Sequence, residues 1–118
     1  MSYDKNNIFA KILRGEVPCK KVFENDYVLA FHDINPQKKI HVLIIPKGEY
    51  LDFDDFNNKA SDKEVVEFSK AITHVANLMG SKDKGYRTLT NIGNDGGQEV
   101  PHLHFHVFAG EKIGKMVN

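Results

Sequence analysis

Apolar residues recur along this chain with two different periods, and each change of period marks an element. Between positions 62 and 79 they fall at Val65, Phe68, Ile72, Val75 and Met79, which is one face of a long α-helix. Ser61 and Glu64 make a capping box in front of that run, and Gly80 stops it. "NNIFAKILRGE" predicts a second, shorter helix: Asn6 or Asn7 caps it, Phe9 and Ile12–Leu13 share a face, and Gly15 ends it. "KKVFEN" and "YVLAFHDI" predict strands joined by a turn at "ENDY". "IHVLIIPK" is nearly all apolar and β-branched, as a strand covered on both faces must be. "GYRTLTNI" and "HLHFHVFAG" predict two more strands, with the glycine-rich "GNDGGQ" between them. "INPQKK" predicts a loop, because the residue before a proline avoids the helical region. "EYLDFDDFNNKASDKE" predicts a surface loop, and residues 110–118 a loose tail. Short connections between these elements predict an α+β fold with a mostly antiparallel sheet, one long helix and one short one.

Composition narrows the function classes. A chain of 118 residues without repeats or linkers predicts a single domain over 1–118. Sixteen acids balance sixteen bases, so the long-range field of a nucleic-acid binder is missing. Cys19 is the only cysteine, which excludes an intrachain disulfide and a Cys-rich zinc site and suits a reducing compartment. The first residues carry charges where a signal peptide needs an apolar run, and no segment is long enough to span a bilayer. The expectation is a cytoplasmic protein with neither membrane nor nucleic-acid partners.

Chemistry concentrates near the end. "HLHFHVF", residues 102–108, holds three of the chain's six histidines at every second position. On a strand, His102, His104 and His106 share one face while Leu103, Phe105 and Val107 share the other. Two uses of such a face remain open from the residues alone. His-x-His can supply zinc ligands, with His41 or Glu99 completing the set. Alternatively the strand faces an anion, and one imidazole acts as nucleophile or general acid/base. Gly96 and Gly97 favour the second use, since consecutive glycine N–H groups can form a nest for a phosphate.

Several runs taken together resemble the histidine triad (HIT) family, and within it the HINT branch of histidine triad nucleotide-binding proteins. They are "NIFAKILRGEVP", "AFHDINPQ", "HVLIIPK" and "GYRTLTNIGNDGGQEVPHLHFHVFAG", and they span nearly the whole chain. The resemblance implies a sheet of about five strands that continues across a homodimer. It implies hydrolysis of purine nucleoside phosphoramidates, with AMP- or GMP-type substrates and no cofactor. Dinucleoside polyphosphate hydrolysis, as in the related Fhit branch, is the rival enzyme reading. A nucleotide- or zinc-binding adaptor with little catalysis is the rival of another class.

Site roles follow from that resemblance by position. His104 matches the family's nucleophile, which becomes nucleotidylated. His106 matches the histidine that contacts the phosphate or leaving group. His102 matches the supporting first histidine, with His41 as its partner in a buried hydrogen-bond relay. Asn91, Gly97, Gln98 and the backbone of Glu99–Val100 match the phosphate-binding positions, and Asp33 the acid that holds the ribose hydroxyls. Ile8, Phe9, Ile12, Phe31, His32 and Ile34 match the walls of the base pocket. Glu99 and Pro101 stand where the best-known members carry a serine and, commonly, an aromatic residue. His74 and Cys19 are expected to be a solvated surface group and a small hydrophobe.

Overall fold

The computed structural model describes residues 2–116. Met1, Val117 and Asn118, which the readings of 1–118 as one domain and 110–118 as a tail include, lie outside the described residues. The elements run α1 (Ile8–Leu13), β1 (Lys21–Glu24), β2 (Val28–His32), β3 (Ile40–Pro46), α2 (Phe53–Lys59), α3 (Asp62–Leu78), β4 (Arg87–Leu89) and β5 (Phe105–Ala109). The strands form one antiparallel sheet in the order β1-β2-β3-β5-β4. This is the α+β arrangement that the two periods predict.

Central position explains the composition of β3. It pairs with β2 on one side and β5 on the other, and every residue from His41 to Pro46 is buried. Val42 and Ile44 face α3, where they join Phe68, Ala71 and Val75. Leu43 and Ile45 face the opposite side, against Phe9 of α1 and Phe31 of β2. Burying both faces leaves no position for a solvated residue, so the apolar run is continuous.

The caps match their sequence signals. The Ser61 hydroxyl accepts from the N–H of Glu64 while the Glu64 carboxylate accepts from the N–H of Ser61, closing the box that opens α3. At α1 the choice falls on Asn7, whose side-chain oxygen accepts the Ala10 N–H at 2.9 Å. Asn25 shapes the first hairpin by accepting from the N–H groups of Tyr27 and Val28.

Three expectations change. The segment predicted as a surface loop contains α2, which buries Phe56 against Phe68 at 5.2 Å between ring centroids. Asp52 caps it, Asp54 and Asp55 occupy its first turn and Lys59 its last, a charge order that favours the helix dipole. The tail is tethered rather than loose, because the Arg87 guanidinium donates to the carbonyls of Gly114 and Lys115. His74 is exposed but not simply solvated, since its ring meets Phe23 edge-on at 4.7 Å.

Candidate active site

β5 begins at Phe105, so only His106 of the three histidines lies in a regular strand. His102 and His104 occupy the extended approach to it, yet the predicted alternation holds. Leu103, Phe105 and Val107 join the α3 core, whereas His102 and His104 turn toward Phe9 of α1. Both are buried. Each imidazole must therefore find partners for its nitrogens inside the protein.

Those partners determine the tautomers. The carbonyl of Pro46 lies 3.0 Å from Nε2 of His102, so that nitrogen carries the proton and Nδ1 is an acceptor. The carbonyl of His102 in turn lies 2.8 Å from Nδ1 of His104. A carbonyl only accepts, so His104 holds its proton on Nδ1 and keeps the Nε2 lone pair free. At His41 the order reverses. The backbone N–H of Gln37 donates to Nδ1 at 3.0 Å, which leaves Nε2 as the protonated nitrogen. That Nε2–H points at Nδ1 of His106, 2.8 Å away. His106 is consequently an Nε2–H donor.

The expected relay between His102 and His41 is therefore redrawn. His41 serves His106, not His102. The register gives the reason: β3 and β5 place Leu43 opposite His106 and His41 opposite Phe108, so His41 and His106 are diagonal neighbours on one face. His102 lies at the other end of β3, beside Pro46. Gln37, in the loop after β2, is a participant that the sequence did not single out.

His104 and His106 open on a cleft of about 960 Å³. Ile8, Phe9, Ile12, Phe31, His32 and Ile34 line it, together with Asp33, His41, Glu99 and Val100. All six positions expected to wall a base pocket line this cleft. Val17, Pro18, Cys19, Lys20 and Leu43 line it as well and were not anticipated. Ile34 is 92% exposed, an isoleucine left unburied at the mouth. The carboxylate of Asp33 is divided: Oδ1 accepts the N–H of Asn35 at 2.8 Å, and Oδ2 lies 3.4 Å from Nε2 of His41. It is both a turn acid and a cleft acid.

A cleft with a free imidazole lone pair at its floor directs attention to relatives, and the family model described as the HIT domain matches residues 14–113. The chain belongs to the HIT domain family. It is 55% identical over 116 residues to a 13.2 kDa HIT-like protein of Azospirillum brasilense, covering 98% of this chain and 95% of that one. Its fold is similar to that of a histidine triad protein from Clostridium difficile, with TM-score 0.84 and 42% identity over 98% of each chain. A HIT family hydrolase from Clostridium thermocellum gives TM-score 0.88 at 36% identity, covering 98% of this chain and 99% of the other.

Within this HIT fold the glycine loop differs from expectation. The N–H of Gly97 donates to the carbonyl of Asn94, and that of Gln98 to the carbonyl of Gly93. Those groups close the loop on itself and are not free to form a nest. Gln98 is a brace: its Oε1 accepts from Gly93, and its Nε2 donates to the carbonyls of Leu51 and Val100. Asn91, Gly97 and Gln98 do not line the cleft. Gly96 is needed for space, because a Cβ there would lie 2.3 Å from the carbonyl oxygen of Ile92. The loop's contribution is to deliver Glu99 and Val100, whose backbone N–H groups have no protein acceptor among the described residues.

Asp33, His41 and His106 present possible metal-ligand atoms within 4.8 Å of one another. The donor set does not suit a cation. Nε2 of His41 already carries a proton, and moving that proton to Nδ1 would set it against the Gln37 N–H. His102 has both ring nitrogens engaged, Nε2 by the Pro46 carbonyl and Nδ1 by the Tyr3 hydroxyl, so a His102–His104 zinc pair lacks a ligand atom from His102.

Burial sets the charge state of the HIT histidines. Loss of solvent lowers the pKa of His102 and His106 to about 4 each, despite the Pro46 carbonyl in the first case. In His106 the neighbouring His104 and His41 depress it further. Burial also lowers His104, opposed by its bond to the His102 carbonyl and by Asp33 and Glu99. His41 falls below its ordinary value for the same reason, against the pull of Asp33. All four are neutral at pH 7. Burial raises the Cys19 thiol, keeping it protonated.

Proposed function

We propose that this HIT protein is a hydrolase that cleaves the P–N bond of purine nucleoside phosphoramidates through a nucleotidyl-His104 intermediate. One observation carries the reading: His104 turns an unprotonated Nε2 into the cleft while its Nδ1–H is fixed on the His102 carbonyl. A neutral imidazole with a locked tautomer is an aimed nucleophile, with no need for a separate base. The relative whose name describes a HIT family hydrolase supports the reaction class.

In the proposed reaction, Nε2 of His104 attacks the α-phosphorus, the P–N bond breaks, and the departing nitrogen takes a proton. Water entering the cleft provides it, because neutral His106 would have to become an imidazolate to do so. The Nε2–H of His106 donates a hydrogen bond to a phosphoryl oxygen, with His41 donating to its Nδ1 from behind. The hydroxide which that water becomes then attacks the same phosphorus, and the bond to His104 breaks, which returns the neutral imidazole and releases the nucleotide. Backbone N–H groups of Glu99 and Val100 carry the phosphoryl oxygens, and the Asp33 carboxylate takes the ribose hydroxyls. The base packs on the apolar side chains of Phe9, Phe31 and the isoleucines, which line the cleft. These residues require no cofactor for any step. A homodimer with a continued sheet and a cytoplasmic setting belong to the same reading. No helix among the described residues is long and apolar enough to cross a membrane.

Product analysis tests the activity. Purified protein given an adenosine 5'-phosphoramidate releases AMP and free amine, far faster than it cleaves a diadenosine polyphosphate. The reverse order supports the polyphosphate reading, and no turnover of either supports the adaptor. Asp33 provides a separate check. Asp33→Ala weakens AMP binding by about 1.5–3 kcal/mol, as expected for lost charge-assisted hydrogen bonds. Isothermal titration reads this directly, and unchanged affinity removes Asp33 from the ribose site.

A further inference from the structure

Tyr3 lies outside every run that carries the family resemblance, yet it touches the triad. Its hydroxyl is 2.5 Å from Nδ1 of His102, and its ring meets that imidazole edge-on at 5.6 Å between centroids. The segment bearing it is anchored, because the Asp4 carbonyl accepts from both the N–H and the side-chain amide of Asn7 at the start of α1. Tyr3 is therefore held in place by the cap of the first helix.

His102 needs what Tyr3 offers. Its side chain has no exposed surface. With Nε2–H committed to Pro46, Nδ1 is a buried acceptor that requires a donor. Among the described residues the Tyr3 hydroxyl is the one group bonded to it. Removing that donor leaves His102 two poor choices. It can keep a buried lone pair unsatisfied, or move its proton to Nδ1 and set two acceptors, Nε2 and the Pro46 oxygen, against each other. Either choice shifts the residue whose carbonyl orients His104.

We propose that Tyr3 is a positioning residue of the active site: its hydroxyl fixes the ring of His102, and the His102 carbonyl then aims the nucleophilic imidazole of His104. Burial keeps the phenol above its ordinary pKa of 10, so it remains an O–H donor across the neutral range. The catalytic part of this claim rests on the phosphoramidase reading; the control of the imidazoles does not.

Tyr3→Phe keeps the ring and deletes only the hydroxyl. On ¹⁵N-labelled free protein, the Nδ1 resonance of His102 moves toward that of an unbonded pyridine-type nitrogen, and the Nδ1–H of His104 exchanges faster with solvent. On an adenosine 5'-phosphoramidate, kcat falls about fivefold to tenfold while KM stays within about twofold, the loss expected for one displaced hydrogen bond. A lower melting temperature with unmoved nitrogen signals overturns the proposal and leaves Tyr3 as packing. Unchanged kcat in an active enzyme overturns it too. If the parent protein turns over no phosphoramidate, the functional reading fails, and the nitrogen signals alone still decide the role of Tyr3.

Discussion

His104→Ala abolishes turnover of an adenosine 5'-phosphoramidate while leaving AMP bound. The expected loss in kcat is on the order of 10⁴-fold or more, the scale seen when a nucleophile that acts as a unit with its neighbours is removed. Affinity survives because the groups proposed to hold the nucleotide, Asp33, Phe31 and the Glu99–Val100 backbone, are separate from His104. Alanine also leaves space beside Phe9, whose ring lies 4.9 Å from the imidazole, so a second variant is needed. His104→Asn retains an N–H for the His102 carbonyl and most of the volume but has no basic nitrogen, and it loses activity to the same extent. Mass spectrometry of protein quenched during turnover finds a nucleotidyl adduct on the peptide containing His104 in the parent and none in either variant. An adduct on another residue, or an asparagine variant within tenfold of the parent, rejects covalent catalysis at His104.

What could be read in advance was whatever is local along the chain. The 3.6-residue period gave α3 with its capping box, and the unbroken apolar run gave β3 with both faces covered. The every-second-residue histidines correctly put Leu103, Phe105 and Val107 into the α3 core. The short helix α2 was missed because its apolar content is only Phe53 and Phe56 among aspartates and asparagines, residues with poor helix propensity. Its capping aspartate and charge order were present as signals, and they outweighed propensity once Phe56 had a core to enter. The partners of the imidazoles could not be read at all. Whether His41 meets His102 or His106 depends on the register between β3 and β5, which is set by long-range pairing. Gln37 and Tyr3 act through a backbone N–H and a hydroxyl that only the folded chain brings to a ring nitrogen. The glycine loop gave the opposite error: its composition suggested open N–H groups at Gly96 and Gly97, but the turn uses that of Gly97 internally. The triad was legible as a pattern, and its wiring was not.

The same wiring makes acid the natural enemy of this fold. His102 and His106 have pKa values lowered to about 4, and His41 and His104 are lowered as well. In the unfolded chain all four return to about 6.5. Between those values the unfolded state binds more protons than the folded state, so stability is fully present above about pH 6.5 and declines as pH falls toward 4. For His102, which is wholly buried, the gap between 6.5 and about 4 corresponds to about 3 kcal/mol. His106 is partly exposed and contributes less. Urea titrations in steps from about pH 7.5 to about pH 4.5 measure the decline. The interval from about 6.5 to 5 is diagnostic because ordinary carboxylates have yet to titrate there, and one fully neutral buried histidine gives a slope near 1.4 kcal/mol per pH unit. A slope above that value requires that several of the four resist protonation together. Catalysis follows a different course, since burial moves the titration of His104 below its ordinary value: the loss of kcat per folded molecule sets in at lower pH than for a free imidazole. A stability curve flat between about pH 6.5 and 5 means that these imidazoles accept protons in place, and the hydrogen bonds that fix the His104 lone pair are then wrongly assigned.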